Sequence, residues 1–195
     1  MKTLSSIQNP EIKKLRLLFQ KTKERKKQNL FVIEGEREIE KALKGGYLLE
    51  SIFIHEAAEH SFEIIISQSK VSNIFLLSSS IFEYLSIRSG SEKIIAIAQS
   101  KTHKLEDLIL YETSIILVIE APEKPGNIGA IFRTAAAAKI DAVIVANPKT
   151  DFYNPNSIRS SLGSMFLTPT AIGTSLEVIS FLKKKSICIA TAAIH

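Results

Sequence analysis

Tryptophan is absent from this 195-residue chain, cysteine occurs once, and glycine and proline number only eight and six. A single cysteine excludes an internal disulfide and a cysteine-built metal cluster. Sparse glycine and proline exclude collagen-like and low-complexity chains, so disorder is expected only at the ends. No apolar run approaches the ~18 residues that span a bilayer, and no apolar segment resembling a signal peptide opens the chain. Together with the missing disulfides this predicts a cytoplasmic protein with no membrane partner. The four histidines, His55, His60, His103 and His195, have no metal-ligand spacing; they read as surface residues, and no metal is expected. Cys188, inside the apolar run Ser186-Ile187-Cys188-Ile189-Ala190, reads as a buried strand thiol.

What is present is ordinary globular chemistry, 45% hydrophobic and 23% charged. A chain of this length forms one large or two small domains and buries roughly 70% of its unfolded surface. The formal charge is +5, and its placement is uneven. Residues 1–30 hold nine Lys/Arg against two Glu, a net +7, which leaves −2 for the rest. Such concentration is expected of a surface facing a polyanion.

Ile7, Ile12, Leu15, Leu18 and Phe19 recur at helical spacing behind Asn9-Pro10, predicting one amphipathic helix over 9–27. Its polar face carries Lys13, Lys14, Arg16, Lys21, Lys23, Arg25, Lys26 and Lys27. Alternating short elements follow: strands over 30–34, 48–54, 73–77 and 93–98, with helices over 36–44, 61–69 and 79–87. This order predicts a small α/β sandwich over 1–99. Residues 100–113 read as a linker. A second α/β unit over 114–195 has strands at 115–120, 142–146, 164–167 and 186–191 and helices at 127–139, 154–160 and 175–185. Its last strand has no helix to cover it, and the unit reads as cut short.

Two blocks carry the chemistry. Pro125-Gly126-Asn127-Ile128-Gly129 follows the apolar run 115–119 and opens a helix that holds Arg133 two turns in. Backbone N–H groups and polar side chains then gather at the carboxyl end of a strand, where open α/β sheets bind ligands. The turn is neither G-x-G-x-x-G nor a Walker loop. In the second block, Asn154-Pro155 leads to Arg159, Ser160, Ser161 and Gly163, which offer charge and hydroxyls before a close-approach position. Three functions remain open on these residues: an RNA-modifying enzyme, a non-catalytic RNA-binding protein, or a mononucleotide-dependent α/β enzyme.

The two blocks in this order resemble the SpoU/TrmH family of RNA ribose 2′-O-methyltransferases. Asn127, Gly129 and Arg133 match its Asn-x-Gly-x-x-x-Arg motif, and Asn154, Pro155, Arg159, Ser161 and Gly163 match its second motif. The N-terminal part is similar to that family's substrate-binding domain through residues 6–13 and 31–35. The resemblance implies an N-terminal ribosomal-protein L30e-like α/β sandwich followed by a truncated α/β-knot (SPOUT-type) methyltransferase domain. It further implies S-adenosylmethionine as cofactor, ribosomal or transfer RNA as partner, and a homodimer in the complete protein. Catalytic roles then fall to Asn127 and Arg133, and RNA contacts to Lys13, Lys14, Arg16, Arg25, Arg159 and Ser161. Thr191 and Ala192, after the last expected strand, fall near the cofactor. Position 156 is Asn where the family often has Lys, and the family's third motif would lie beyond His195. An arginine is permanently charged near neutrality, so Arg133 is expected to position the nucleotide and stabilise developing alkoxide charge rather than act as a base.

Overall fold

The computed structural model describes residues 1–86 and 92–192. Its first layer is a five-stranded sheet built from β1 (Lys2–Leu4), β2 (Leu30–Glu34), β3 (Leu49–His55), β4 (Ile74–Leu77) and β5 (Ile94–Gln99) in the order β1-β4-β3-β5-β2. β5 runs antiparallel to both neighbours, whereas β1, β4 and β3 are parallel. The strand period of two divides the apolar residues between the faces. Leu30, Val32, Phe53, Ile95 and Ile97 join one core, and Phe31, Ile33, Ile52, Ile54 and Ala96 join the other.

α1 (Pro10–Gln20) covers the first face with Ile12, Leu15 and Leu18, all essentially inaccessible. Full burial of each contributes roughly 1.5–3 kcal/mol. Asn9 caps the helix by accepting the Glu11 N–H at 2.9 Å, and Pro10 occupies the first turn. The single helix expected over 9–27 is in fact two. Lys21 adopts an extended backbone, φ −117° and ψ 107°, and α2 (Thr22–Gln28) starts afresh. The physical reason is the apolar stripe, which stops at Phe19. The buried residue of α2 is Arg25, turned back onto the last carbonyls of α1.

α3 (Glu36–Lys44) joins β2 to β3, α4 (Glu63–Ser69) joins β3 to β4, and α5 (Ser79–Leu85) follows β4. The expected helix over 79–87 ends within the described residues at Leu85; Ile87 lies outside them. β1 was not expected, because three residues are too few to show a period. The segment 100–113, expected as a linker, contains a 3₁₀ turn at Leu105–Asp107, and its Leu105 and Leu108 are buried.

A three-stranded parallel sheet follows, β6 (Ile116–Glu120), β7 (Ala142–Ala146) and β8 (Thr170–Gly173), in the order β6-β7-β8. α6 (Pro125–Ala137) connects β6 to β7, α7 (Pro155–Ser160) lies between β7 and β8, and α8 (Ser175–Lys184) follows β8. Two strand expectations here are corrected. Residues 164–166 form a 3₁₀ turn after Gly163 (φ 74°), and the strand lies at 170–173. Consecutive Met165 and Phe166 are both buried, which an alternating half-buried strand does not permit. Among the described residues, 186–192 pair with no strand, and Cys188 is exposed rather than a buried strand thiol.

The largest apolar cluster crosses between the two sheets, combining Phe31, Ile39 and Tyr47 with Phe132, Tyr153, Ile158 and Phe166. Phe31 stacks on Tyr153 with ring centres 4.2 Å apart.

Candidate nucleic-acid and catalytic site

Both sequence blocks open at one rim. α6 begins just past the carboxyl end of β6 and α7 just past that of β7, and these strands are parallel neighbours. The loops feeding them are held by defined bonds. The Asn154 side chain caps α7 by accepting the Asn156 N–H at 2.9 Å, with Pro155 in the first turn. The Asp151 carboxylate accepts the Tyr153 N–H at 3.1 Å.

Gly129 explains the spacing of the first block. A Cβ built there would stand 2.1 Å from Ser160 Oγ, 2.3 Å from the Ser157 carbonyl oxygen and 2.6 Å from the Ser161 nitrogen. The absent side chain lets α6 press directly on the backbone of α7. The two blocks thereby form one unit.

Asn127 lies on the first turn of α6 and is exposed; Arg133, also exposed, stands further along the helix. Six helical residues separate them, about 9 Å along the axis and roughly 120° around it. Neither side chain has a hydrogen-bond or ion-pair partner among the described residues, and no bond joins the two. Arg159, exposed on the last turn of α7, is likewise without such a partner. The α6–α7 unit therefore presents to solvent a carboxamide and two guanidinium groups, Asn127 and Arg133 on different sides of α6, whose donors are open to an anionic ligand.

Two of the expected RNA contacts are placed elsewhere. Ser161 is fully buried: its hydroxyl donates to the Ile158 carbonyl at 2.7 Å and accepts the Gly163 N–H at 3.1 Å. Its work is to shape the turn that ends α7. Arg25 is only 3% exposed, and all its nitrogens are engaged. Nε donates to Asp151 at 2.6 Å, one terminal nitrogen donates to the Leu18 and Phe19 carbonyls, and the other donates to the Thr22 hydroxyl. Lys14 is half-buried and paired with Glu50. Lys13 and Arg16 are exposed on α1.

Thr191 and Ala192 are exposed on irregular chain beyond α8. They do not sit at a strand end, because the strand expected to carry them is not formed. Among the described residues no group of histidine, cysteine and acidic side chains could hold a metal ion, and no helix is long and apolar enough to cross a membrane.

Sequence reading missed a polar knot between the sheets. His103 Nε2 and the Tyr153 hydroxyl are 2.7 Å apart, and His103 Nδ1 lies 3.2 Å from the Thr170 carbonyl. The Tyr153 hydroxyl accepts the Lys101 N–H at 3.0 Å and approaches the Tyr47 hydroxyl at 3.4 Å. Burial pushes the Tyr47 phenol up to about 12. Lys101 lies over the Tyr47 ring and donates to the Gly45 carbonyl. A cleft of about 630 Å³ lies beside this knot. His103 and His55 are thus not surface residues: His55 is buried, and His103 is packed against Phe152 and Tyr153. No periodicity signals a lone histidine meeting a tyrosine fifty residues away. His60 is exposed as expected, and His195 lies outside the described residues.

The knot carries a pH prediction. Burial is the main cause that lowers the His103 pKa from its ordinary value near 6.5, aided by Lys101 and opposed by the Thr170 bond. Above that ordinary value neither state binds the proton and the contribution is complete. As the pH falls below it, the unfolded chain protonates first, and stability is lost until the depressed folded value is passed. The urea midpoint is expected to fall more steeply between pH 7 and 5 for the native chain than for His103→Gln. Parallel curves for the two would remove His103 from the pH response.

Comparisons with known proteins agree with this architecture. The family described as "MRM3-like substrate binding domain" matches residues 9–96, and the "SpoU rRNA Methylase family" matches residues 114–195. The chain is 32% identical over 171 residues to the Bacillus subtilis 23S rRNA (guanosine(2553)-2′-O)-methyltransferase RlmP. That alignment covers 87% of this chain but only 64% of the relative's length. A solved RNA 2′-O ribose methyltransferase is 34% identical with a TM-score of 0.76, covering 94% of this chain and 70% of that one. An AdoMet-bound rRNA methyltransferase from Sinorhizobium meliloti shares the fold at 24% identity and a TM-score of 0.82, covering 93% and 68%. With both family matches in order along one chain, and Asn127, Gly129, Arg133 and Arg159 gathered on one pair of packed helices, the chain belongs to the SpoU rRNA methylase family.

Proposed function

We propose that this chain provides the RNA-facing part of an S-adenosylmethionine-dependent ribose 2′-O-methyltransferase acting on ribosomal RNA. The observation that carries the reading is the set of donors on the α6–α7 unit, Asn127, Arg133 and Arg159, that have no partner among the described residues. Methyl transfer to a ribose hydroxyl needs the sugar oxygen aligned and its developing negative charge stabilised. A guanidinium supplies both, with planar donors for the neighbouring phosphate and a fixed positive charge. Arg133 takes that role, Arg159 holds a second phosphate, and Asn127 orients the sugar. The proton passes to phosphate or water, because the guanidinium retains its own. S-adenosylmethionine is the methyl source in this reading; Thr191 and Ala192 as placed here do not define its pocket, and no step is derived through it.

The names of the relatives make 23S rRNA the first substrate class to assay. A reducing, cytoplasmic location and a homodimeric complete protein belong to the same proposal. The test is transfer of labelled methyl groups to RNA by the full-length protein and by Arg133→Lys. Lysine keeps the charge but loses the planar fork. We expect kcat to fall by roughly 100-fold or more, the loss typical for one aimed transition-state donor, with RNA affinity little changed. Near-native turnover by Arg133→Lys would remove the guanidinium from its role, and absence of methyl incorporation by the unaltered full-length protein on any RNA would remove the reading.

A further inference from the structure

Resting on the RNA reading above, we propose that Arg16 and Tyr84 form a stacking platform for an unpaired base of a single-stranded RNA segment. The Arg16 guanidinium carbon lies over the Tyr84 ring, 4.4 Å from its centre, so α1 meets α5 through a cation seated on an aromatic face. Both residues reach solvent, Tyr84 with 42% of its surface exposed.

The other basic residues expected to contact RNA divide clearly. Arg25 is consumed by Asp151 and backbone carbonyls, and Lys14 by Glu50. Arg16 has no hydrogen-bond or ion-pair partner among the described residues. A guanidinium seated on an aromatic ring keeps one planar face and its N–H edge open. That face is weakly hydrated and polarisable, which suits stacking, while the edge can donate to a base or a phosphate.

The surroundings fit the same occupant. Lys13 lies one turn earlier on α1 and is exposed, a point charge for the adjoining phosphate. The first thirty residues carry the chain's excess positive charge. A duplex conceals its base faces, so a stacking platform selects unpaired nucleotides.

The experiment measures binding of oligoadenylate, and of an abasic oligomer of equal length, to the full chain across a range of salt. Arg16→Lys keeps the charge and loses the plane; Tyr84→Leu removes the ring beneath it. Each is expected to weaken oligoadenylate about tenfold and to leave the abasic oligomer unchanged, with the salt slope preserved. Lys13→Gln is expected to lower that slope by about 0.7 for a single strand. Unchanged oligoadenylate affinity in Arg16→Lys overturns the platform and leaves the pair as a contact between α1 and α5. Equal loss for both oligomers overturns it in favour of simple charge. Failure of the unaltered chain to bind either oligomer would overturn the platform together with the RNA reading, an outcome distinct from both.

Discussion

Gly129→Ala is expected to destabilise the protein by about 3 kcal/mol, the upper end for over-packing, although alanine is the better helix former. A methyl group at this point of α6 meets the Ser157 carbonyl oxygen at 2.3 Å and the Ser161 nitrogen at 2.6 Å, both backbone atoms of α7. A rotamer change at Ser160 relieves only the third contact. α7 cannot simply retreat, because Pro155 and Ile158 stand beside Val32 of the first sheet. Relief therefore means moving a whole helix against a buried core. Gly126→Ala supplies the control on the same helix. Its Cβ meets nothing within 4 Å, so alanine there is expected to be neutral or to stabilise by up to about 1 kcal/mol. Urea unfolding of the two variants decides the matter; equal midpoints would mean that the close helix contact is not rigid. Because the same contact fixes Arg159 relative to Arg133, methyl transfer by the complete protein should fall with Gly129→Ala and survive Gly126→Ala.

Arg25→Ala is expected to cost about 3–5 kcal/mol, as for other buried pairs broken on one side. The Arg25–Asp151 bridge is 3% and 8% exposed at its two side chains and joins residues 126 positions apart. Removing the arginine leaves the Asp151 carboxylate buried and also strips the Leu18 and Phe19 carbonyls and the Thr22 hydroxyl of their donor. Asp151→Asn should cost less, since the arginine retains its carbonyl partners. Residues in direct contact couple, so the double variant should be less damaged than the sum of the singles. RNA affinity provides the contrasting readout. Had Arg25 been a phosphate contact, its loss would leave the urea midpoint alone and lower the salt slope. The buried bridge predicts the reverse, and a stable Arg25→Ala chain with a lowered slope would contradict it.

A lysine-rich helix invites the assumption that every cation faces water, and Lys13 and Arg16 do. Nothing local distinguishes Arg25 from them; the distinction is an aspartate more than a hundred residues away. The same limit explains the split of the expected helix at Lys21. Apolar periodicity carried the prediction to Phe19, and beyond it the helical boundary is set by the guanidinium reaching back to α1. Ser161 belongs to a motif of hydroxyls and a cation, yet its hydroxyl closes the turn after α7. His103 was missed because a lone histidine in a polar stretch carries no signal until Tyr153 and Thr170 are brought beside it.

Other parts were legible for equally specific reasons. α3 appears over the residues expected, because its charge and apolar pattern lies between Gly35 and Gly45. β2 and β7 are short apolar runs bounded by turn residues, and both formed. Strands with ambiguous apolar runs fared worse: 164–167 became a 3₁₀ turn and 186–191 stayed unpaired. Short apolar runs do not say which neighbour will pair with them.

The sequence by itself determined the α/β alternation, the basic N-terminal segment and the two motif blocks, since period, charge and spacing are properties of neighbouring residues. Only the tertiary structure decided which cations remain free, why position 129 carries no side chain, and how the two sheets lock through Arg25, Tyr153 and His103. These outcomes depend on contacts between residues far apart in the chain, and burial energy and hydrogen-bond pairing are settled only when those residues meet.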